Sequence, residues 1–219
     1  MSSTGSVHPG GPSDLRELDA VTVRKASVSS MDNNVYLLTC RQTGRQLLID
    51  AADDPDRVAA LVAEGGDGLD TIVTTHRHWD HHRALAPVAA ATGATTAAGV
   101  DDAAQLPVAP DRQLRHGDEV TVGAVTLQVV HLRGHTPGSV ALAYAEPAGR
   151  VHLFTGDSLF PGGPGKTASP ADFRSLMDDL QARVFDVYGD DTWVYPGHGG
   201  DTTLGAERPH LGEWRDRGW

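Results

Sequence analysis

Two histidines separated by one residue, then an aspartate and a third histidine, follow an apolar run at 71–75. The run predicts a buried strand, and in extended backbone residues two positions apart point to the same side. His76, His78 and Asp80 can therefore converge on one point beyond the strand end. The turn that follows lets Asp80 and His81 face a second point. Imidazole nitrogens and carboxylate oxygens bind zinc and also suit iron and manganese, so the segment predicts a metal site.

Four more polar residues stand where a predicted strand runs into a turn. They are Asp50, His135, Asp157 and His198. Glycine directly precedes each of the last three, and glycine lets another part of the backbone approach closely. Polar groups at strand ends are typical of a cleft built on the edge of a sheet. We therefore expect these four residues to lie near the histidine-rich segment.

The elements that must position these residues alternate between short apolar runs and amphipathic segments. Strands are predicted at 21–28, 35–39, 45–49, 71–75, 119–122, 125–132, 139–145, 151–155 and 192–195. Helices are predicted at 53–64, about 80–92 and about 171–184. This order indicates a mixed sheet, or two sheets covered by helices.

Composition limits the classes of function. The 219 residues carry a formal charge of −11, which argues against nucleic acid and anionic membrane surfaces as partners. No apolar run is long enough to span a bilayer. The single cysteine, Cys40, follows an apolar run and predicts a buried strand residue in a reducing compartment. Residues 1–14, rich in Ser, Gly and Pro, predict a disordered tail without a signal peptide, followed by one domain at 15–219. We expect a cytoplasmic protein.

Four motifs together resemble those of the metallo-β-lactamase-fold hydrolases, in order and approximate spacing. They are Thr-His-x-His-x-Asp-His at 75–81, Gly-His-Thr-Pro-Gly at 134–138, Thr-Gly-Asp at 155–157 and Pro-Gly-His at 196–198. The resemblance implies an α/β (α+β) fold, the αββα sandwich, in which two mixed β-sheets pack face to face and are flanked by helices.

The resemblance also implies a site for two divalent metal ions, zinc by preference, with iron or manganese as alternatives. His76, His78 and His135 would hold one ion, and Asp80, His81 and His198 the other, with Asp157 between them. A hydroxide that bridges the ions would be the nucleophile. Asp80 and Asp157 are the predicted catalytic residues, Asp80 as a proton shuttle to the leaving group. Asp50 would orient a ligand.

The segment 155–166 is most similar to glyoxalase II, the hydroxyacylglutathione hydrolase, in which a basic residue at the position of Lys166 contacts glutathione. Ala168 and Gly200 stand where that family has aromatic residues. We therefore predict a small-molecule substrate, a thioester or ester of a small anionic compound. Lys166 is a predicted substrate contact. Arg133 is a second candidate, for which a structural ion pair is the favoured interpretation.

Three alternatives are weighed against this prediction. Persulfide dioxygenases share the fold and hold one iron, whereas here all seven positions of a dinuclear site are filled. A metal-binding scaffold without catalysis is the alternative of another class. Gly-Asp-Ser-Leu at 156–159 matches a serine esterase signature with Ser158 as the nucleophile, but no Asp-x-x-His follows it. His82 is interpreted as a packing residue, because a helix turns it away from His81.

Overall fold

The first sheet contains the N-terminal strands of the protein, whose computed structural model describes residues 3–66 and 68–218. Its strands, in spatial order, are β1 (Asp14–Glu17), β2 (Val21–Val28), β3 (Asn33–Cys40), β4 (Gln46–Ile49), β5 (Leu69–Thr74), β6 (Thr95–Gly99) and β7 (Arg112–Leu114). The pairs from β1 to β4 are antiparallel, and those from β4 to β7 are parallel. The carboxyl ends of β4 and β5 therefore meet at one edge.

The second sheet is also mixed. Its strands are β8 (Glu119–Val122), β9 (Val125–His131), β10 (Val140–Ala145), β11 (Val151–Gly156), β14 (Trp193–Pro196) and β15 (Thr202–Thr203), in the spatial order β15-β14-β11-β10-β9-β8. Only the pair of β11 and β14 is parallel, so their carboxyl ends also lie side by side. A short hairpin of β12 (Leu159–Phe160) and β13 (Gly163–Pro164) follows β11.

Helices cover the outer faces of both sheets. They are α1 (Pro55–Gly65), α2 (Leu85–Thr92), α3 (Pro170–Leu180), α4 (Leu204–Glu207) and α5 (Leu211–Arg217). Apolar residues of α1 and α2 pack on the first sheet, and those of α3 and α5 pack on the second. A third apolar cluster lies between the sheets. This arrangement confirms the αββα sandwich predicted from the sequence.

Local signals fix the helix ends. Asp54 accepts a hydrogen bond from the backbone N–H of Arg57, and Pro55 occupies the first turn of α1, where its missing N–H costs nothing. At the other end Gly66 adopts φ 112°, which favours glycine. Ser169 caps α3 in the same way, through the N–H of Asp172.

Tyr36 joins the two sheets at their centre. Its ring, on β3, makes edge contacts with Phe154 on β11 and Tyr195 on β14, with centroid distances of 5.3 and 5.6 Å. Its hydroxyl donates to the carbonyl of Pro196 at 2.6 Å. Cys40 is buried at the end of β3, as predicted.

Two sequence predictions differ from the structure. The helix expected at 80–92 is instead a 3-10 turn, Trp79–His81, followed by α2 from Leu85. Pro87 explains the difference, because proline fits only the first turn of a helix. Strands β6 and β7 were not predicted, since β6 is a run of Thr and Ala without the large β-branched residues that signal a buried strand.

The predicted tail at 1–14 includes residues 1 and 2, which lie outside the described residues. Within the rest, the N–H of Gly5 donates to Asp14 and the carbonyl of Gly5 accepts from Lys25. Among the helices of residues 3–66 and 68–218, none has the length and hydropathy needed to span a membrane.

Candidate metal centre

The predicted site residues meet at one edge of the sandwich, where strands of both sheets end. Asp50 follows β4, and the turn after β5 carries the histidine-rich segment. From the second sheet, β9 leads to His135, β11 to Asp157 and β14 to His198. Residues that are far apart in sequence thus form one cluster.

Three histidines form what we call the three-histidine group: His76, His78 and His135. Nε2 of His76 lies 3.1 Å from Nδ1 of His78 and 3.2 Å from Nε2 of His135. The other ring nitrogens are held from outside. Nδ1 of His76 lies 3.1 Å from the hydroxyl of Thr75, and Nδ1 of His135 lies 2.6 Å from the carbonyl of Lys166.

An aspartate and two histidines form what we call the mixed group: Asp80, His81 and His198. Nε2 of His81 lies 3.1 Å from Nε2 of His198, and Oδ2 of Asp80 lies 3.6 and 3.4 Å from these two nitrogens. Nδ1 of His81 donates to Oδ2 of Asp50 at 2.9 Å. Nδ1 of His198 donates to the carbonyl of Met31 at 2.8 Å.

Asp157 lies between the two groups. Its Oδ2 is 3.6 Å from Nε2 of His135 and 3.5 Å from Nε2 of His198, and its Oδ1 is 3.4 Å from Nε2 of His81. Oδ1 is buried and accepts no hydrogen bond. A Cβ on Gly197 would overlap this oxygen, so the carboxylate fits only beside a glycine.

The donor set fits metal ions. Four rings have Nδ1 beside an outside oxygen, so a proton on Nδ1 leaves the Nε2 lone pair pointing inward. Lone pairs that face one another at 3.1–3.2 Å repel unless a cation or a proton lies between them. The unpartnered oxygen of Asp157 is a further ligand atom. Imidazole and carboxylate ligands with fixed ring orientation are typical of zinc and iron sites.

The two groups differ in charge. Burial lowers the pKa of His76 well below its usual value, and the neighbouring His81 lowers it further. Burial also opposes the charged forms of His81 and His198, but hydrogen bonds to the carboxylates outweigh burial and raise the pKa of both. Burial likewise opposes ionisation of Asp157, yet the nearby His198 and His81 side chains hold its pKa well below the usual range. The surroundings therefore favour charged histidines in the mixed group and neutral histidines in the three-histidine group.

Asp50, expected to orient a ligand, lies in a buried position after β4. Its Oδ1 accepts from the backbone N–H of Thr75 at 2.7 Å, and its Oδ2 accepts from the Thr75 hydroxyl at 2.7 Å as well as from His81. The Thr75 hydroxyl also lies beside Nδ1 of His76. The Asp50 carboxylate therefore orients His81 of the mixed group directly and His76 of the three-histidine group through Thr75.

Two buried residues of the site were missed in the sequence. Asn33, which precedes the strand predicted at 35–39, is the first residue of β3 and contacts Asp80. Asp102 follows β6, an unpredicted strand. Had the end of β6 at Gly99 been predicted, Asp102 would have been recognised as another polar residue that follows a strand end.

Asp102 supports the three-histidine group. Its Oδ2 accepts from the N–H of Arg77 at 3.0 Å and from the hydroxyl of Thr136 at 2.5 Å, and its Oδ1 accepts from the N–H of Gly138 at 2.9 Å. It thus ties the turn that carries His76 and His78 to the turn that carries His135.

We expect Asp102→Ala to weaken metal binding at the three-histidine group about 10- to 100-fold, because residues that hold ligands from behind have effects of this size. The affinity can be measured by competition with a chromophoric chelator. Asp101→Ala is the matched control, since Asp101 is adjacent and exposed. Equal affinities in the two variants would contradict the prediction.

Several hydrogen bonds from the first sheet reach what we call the His198 turn, residues 196–199. Asn34 donates its side-chain amide to the carbonyls of Pro196 and Gly199, and its backbone N–H donates to Gly197. The ammonium of Lys25, on β2, donates to the carbonyl of Gly199 at 2.7 Å. The carbonyls of Pro196 and Gly199 thus each have a second donor, Tyr36 or Lys25, so the turn stays hydrogen-bonded at both positions when Asn34 is lost.

The remaining candidates lie around the cluster. The side chain of Lys166 is exposed, although its carbonyl contacts His135. Arg133 forms a two-point ion pair with Asp179, at 2.8 and 2.6 Å. This is the structural ion pair that was favoured for Arg133 from the sequence. Nε2 of His82 lies 3.1 Å from the carbonyl of Arg77, outside both groups.

Comparisons with known proteins show which family the chain resembles. A curated hydroxyacylglutathione hydrolase from Fuscovulum blasticum is 37% identical over 153 residues, which are 69% of this chain and 58% of that protein. Matches to the other similar relatives of that name span between half and two thirds of their own lengths.

Solved structures also resemble the chain. The crystal structure of ETHE1 from Myxococcus xanthus superposes with a TM-score of 0.73 at 32% identity, covering 86% of this chain and 82% of that one. TTHA1623, solved in a di-iron-bound form, superposes with a TM-score of 0.71 at 32% identity, covering 84% and 96%. The sequence model of the metallo-beta-lactamase superfamily matches residues 31–198, which is more than half of the chain. The matched range includes every residue of the two ligand groups and Asp157. The chain therefore belongs to the metallo-beta-lactamase superfamily.

Proposed function

We propose that the protein is a dinuclear metal hydrolase, similar to glyoxalase II, that cleaves a thioester or ester of a small anionic substrate. The observation that carries the proposal is the position of Asp157, whose carboxylate lies within 3.6 Å of histidines from both ligand groups. A site for one ion needs no such shared carboxylate. The likeness to hydroxyacylglutathione hydrolases supports the reaction class.

Each part of the cluster has a role in this proposal. The three-histidine group would hold one ion and the mixed group the other, with Asp157 as a ligand of both. When bound, two divalent ions, zinc by preference, would supply a nucleophile by lowering the pKa of a water and would polarise the substrate carbonyl. The Asp80 carboxylate would accept the proton released by the attacking water and pass it to the leaving sulfur or oxygen. Lys166 would attract the anionic group of the substrate.

Metal content is the first test. We expect plasma mass spectrometry on untagged protein to find two divalent ions per chain, because each group offers at least three ligand atoms within 4.8 Å of one another. Protein without metal at neutral pH would instead support a scaffold without catalysis. One iron per chain, with oxygen consumption on a glutathione persulfide, would support a dioxygenase.

The substrate class needs a separate test. A panel of thioesters and esters that includes lactoylglutathione should show turnover with the two-ion protein, and anionic members should have the higher kcat/KM. A matched panel of neutral analogues is the control. Two bound ions without turnover of any thioester or ester would refute the proposed reaction while leaving the metal site intact.

A further inference from the structure

Asn33 lies between two members of the mixed group. Its side chain is completely buried at the start of β3. Nδ2 lies 3.0 Å from Oδ2 of Asp80, 3.1 Å from the backbone carbonyl of Asp80 and 3.4 Å from Nε2 of His198. An uncharged amide thus contacts one ligand carboxylate and borders one ligand histidine.

The orientation of this amide is fixed by the preceding turn. The hydroxyl of Ser29 donates to Oδ1 of Asn33 at 2.6 Å, so the oxygen side of the amide is already occupied. Both N–H bonds then point toward Asp80, one to its carbonyl and one to its carboxylate. No donor is left over for a substrate, so a direct part in the reaction is excluded for this side chain.

The turn between β2 and β3 is itself held in an unfavourable backbone conformation. Ser29 and Asp32 adopt φ 61° and 57°, a region that residues other than glycine rarely enter. The same turn provides the carbonyl of Met31 that accepts from His198. Strained residues persist where the surrounding structure requires them, and here the turn supports both Asp80 and His198.

We propose that Asn33 is a positioning residue for the metal ion of the mixed group. By donating to one lone pair of Oδ2 and to the carbonyl of the same residue, it holds the Asp80 carboxylate toward Nε2 of His81 and His198. The inference rests on the proposed dinuclear site. The three-histidine group has no such contact and depends on Asp102, so Asn33 acts on one ion and not on the other.

Asn34 provides a matched control. It has the same side chain, is also completely buried, and donates two amide hydrogen bonds, at 2.9 and 3.0 Å. Its partners are the carbonyls of Pro196 and Gly199, which are also held by Tyr36 and Lys25. Loss of Asn34 should therefore lower stability without displacing a ligand.

The test compares Asn33→Ala with Asn34→Ala by metal analysis and by titration of the metal-free protein with Zn²⁺. We expect the Kd of one ion to rise about 10- to 100-fold in Asn33→Ala, with the other ion retained. Asn34→Ala should bind two ions with wild-type affinity. Proton NMR of the cobalt-substituted protein identifies the lost ion, because Co²⁺ shifts the ring N–H signals of the histidines that bind it. The shifted signals of His81 and His198 should disappear, while those of His76 and His135 remain.

Several outcomes would overturn the inference. The inference would be refuted if Asn33→Ala bound two ions with unchanged affinity. It would also be refuted if Asn33→Ala and Asn34→Ala lost an ion to the same extent. If Asn33→Ala does not fold, Ser29→Gly takes its place, because glycine suits φ 61°. The change removes the hydroxyl that orients Asn33, which also accepts from the N–H of Met31. Weaker binding of one ion there would support the inference, and unchanged binding would refute it. A wild type with one ion would refute the proposed function itself.

Discussion

Asp157→Ala is expected to lose bound metal and to lower turnover by more than about 10³-fold, or about 4 kcal/mol of transition-state stabilisation. The physical reason is that one carboxylate contacts histidines of both ligand groups, so its removal affects both ions at once. Metal content and kcat/KM should be measured on the same preparation. A variant with two ions and full activity would refute the role assigned to Asp157.

Ser158→Ala is the control for this experiment. Ser158 is the next residue in the chain and is completely buried, and its hydroxyl has no hydrogen-bond partner. We expect its replacement to leave metal content and turnover within about a factor of three, since removal of an unpaired buried hydroxyl has little cost. Loss of activity with both ions retained would instead favour the hypothesis of a serine esterase with Ser158 as the nucleophile.

Lys25→Met is expected to destabilise the protein by about 3–5 kcal/mol, which lowers the Tm of a chain of this size by roughly 6–20 °C. The ammonium of Lys25 and the carboxylate of Asp201 lie 2.7 Å apart and are each 3% exposed. Removing the cation leaves a buried carboxylate without its counter-charge. Calorimetry or thermal denaturation followed by circular dichroism measures the change.

Two comparisons isolate the buried pair. Arg215→Met breaks an ion pair of similar length, 2.9 Å, whose side chains are 39% and 69% exposed, and should cost less than about 1 kcal/mol. The double variant Lys25→Met with Asp201→Asn should recover much of the loss, because no buried charge remains. Equal destabilisation by Lys25→Met and Arg215→Met would contradict the prediction.

The cost of Lys25→Met should also depend on pH. Burial raises the pKa of Asp201, and Lys25 opposes that shift, so removal of Lys25 should raise the pKa further. A carboxyl with a raised pKa in the folded state stabilises that state at low pH, and this contribution is lost as pH rises through the raised value. The variant should therefore lose more stability at pH 8 than at pH 5. A loss that is constant across this range would contradict the expected pH dependence.

The ligand residues could be found in the sequence because their signal is local. Residues two apart beyond a strand end share a side, and His76 and His78 follow that rule. Asp80 does not, because the 3-10 turn Trp79–His81 directs it to the mixed group. The structure brings them together with His135, Asp157 and His198, as the motif order implied. The roles of these residues in metal binding and catalysis remain predictions.

The supporting residues could not be found in this way, because their partners are distant in the chain. Asp102 contacts residues 25 and 36 positions away, and Asn33 contacts one 47 positions away. Neither belongs to a periodic pattern. Strand β6 was missed for a different reason: its small side chains carry little of the apolar signal on which strand prediction depends.

Tyr36 has a consequence for how the site keeps its shape. Its ring packs against the second sheet and its hydroxyl bonds the carbonyl that leads to His198, so sliding of one sheet over the other would disrupt both contacts together. Shear between the layers is therefore resisted at the level directly beneath the ligands. The closely packed apolar interior therefore fixes the distance between histidines that come from opposite sheets. The site is preorganised before a substrate binds.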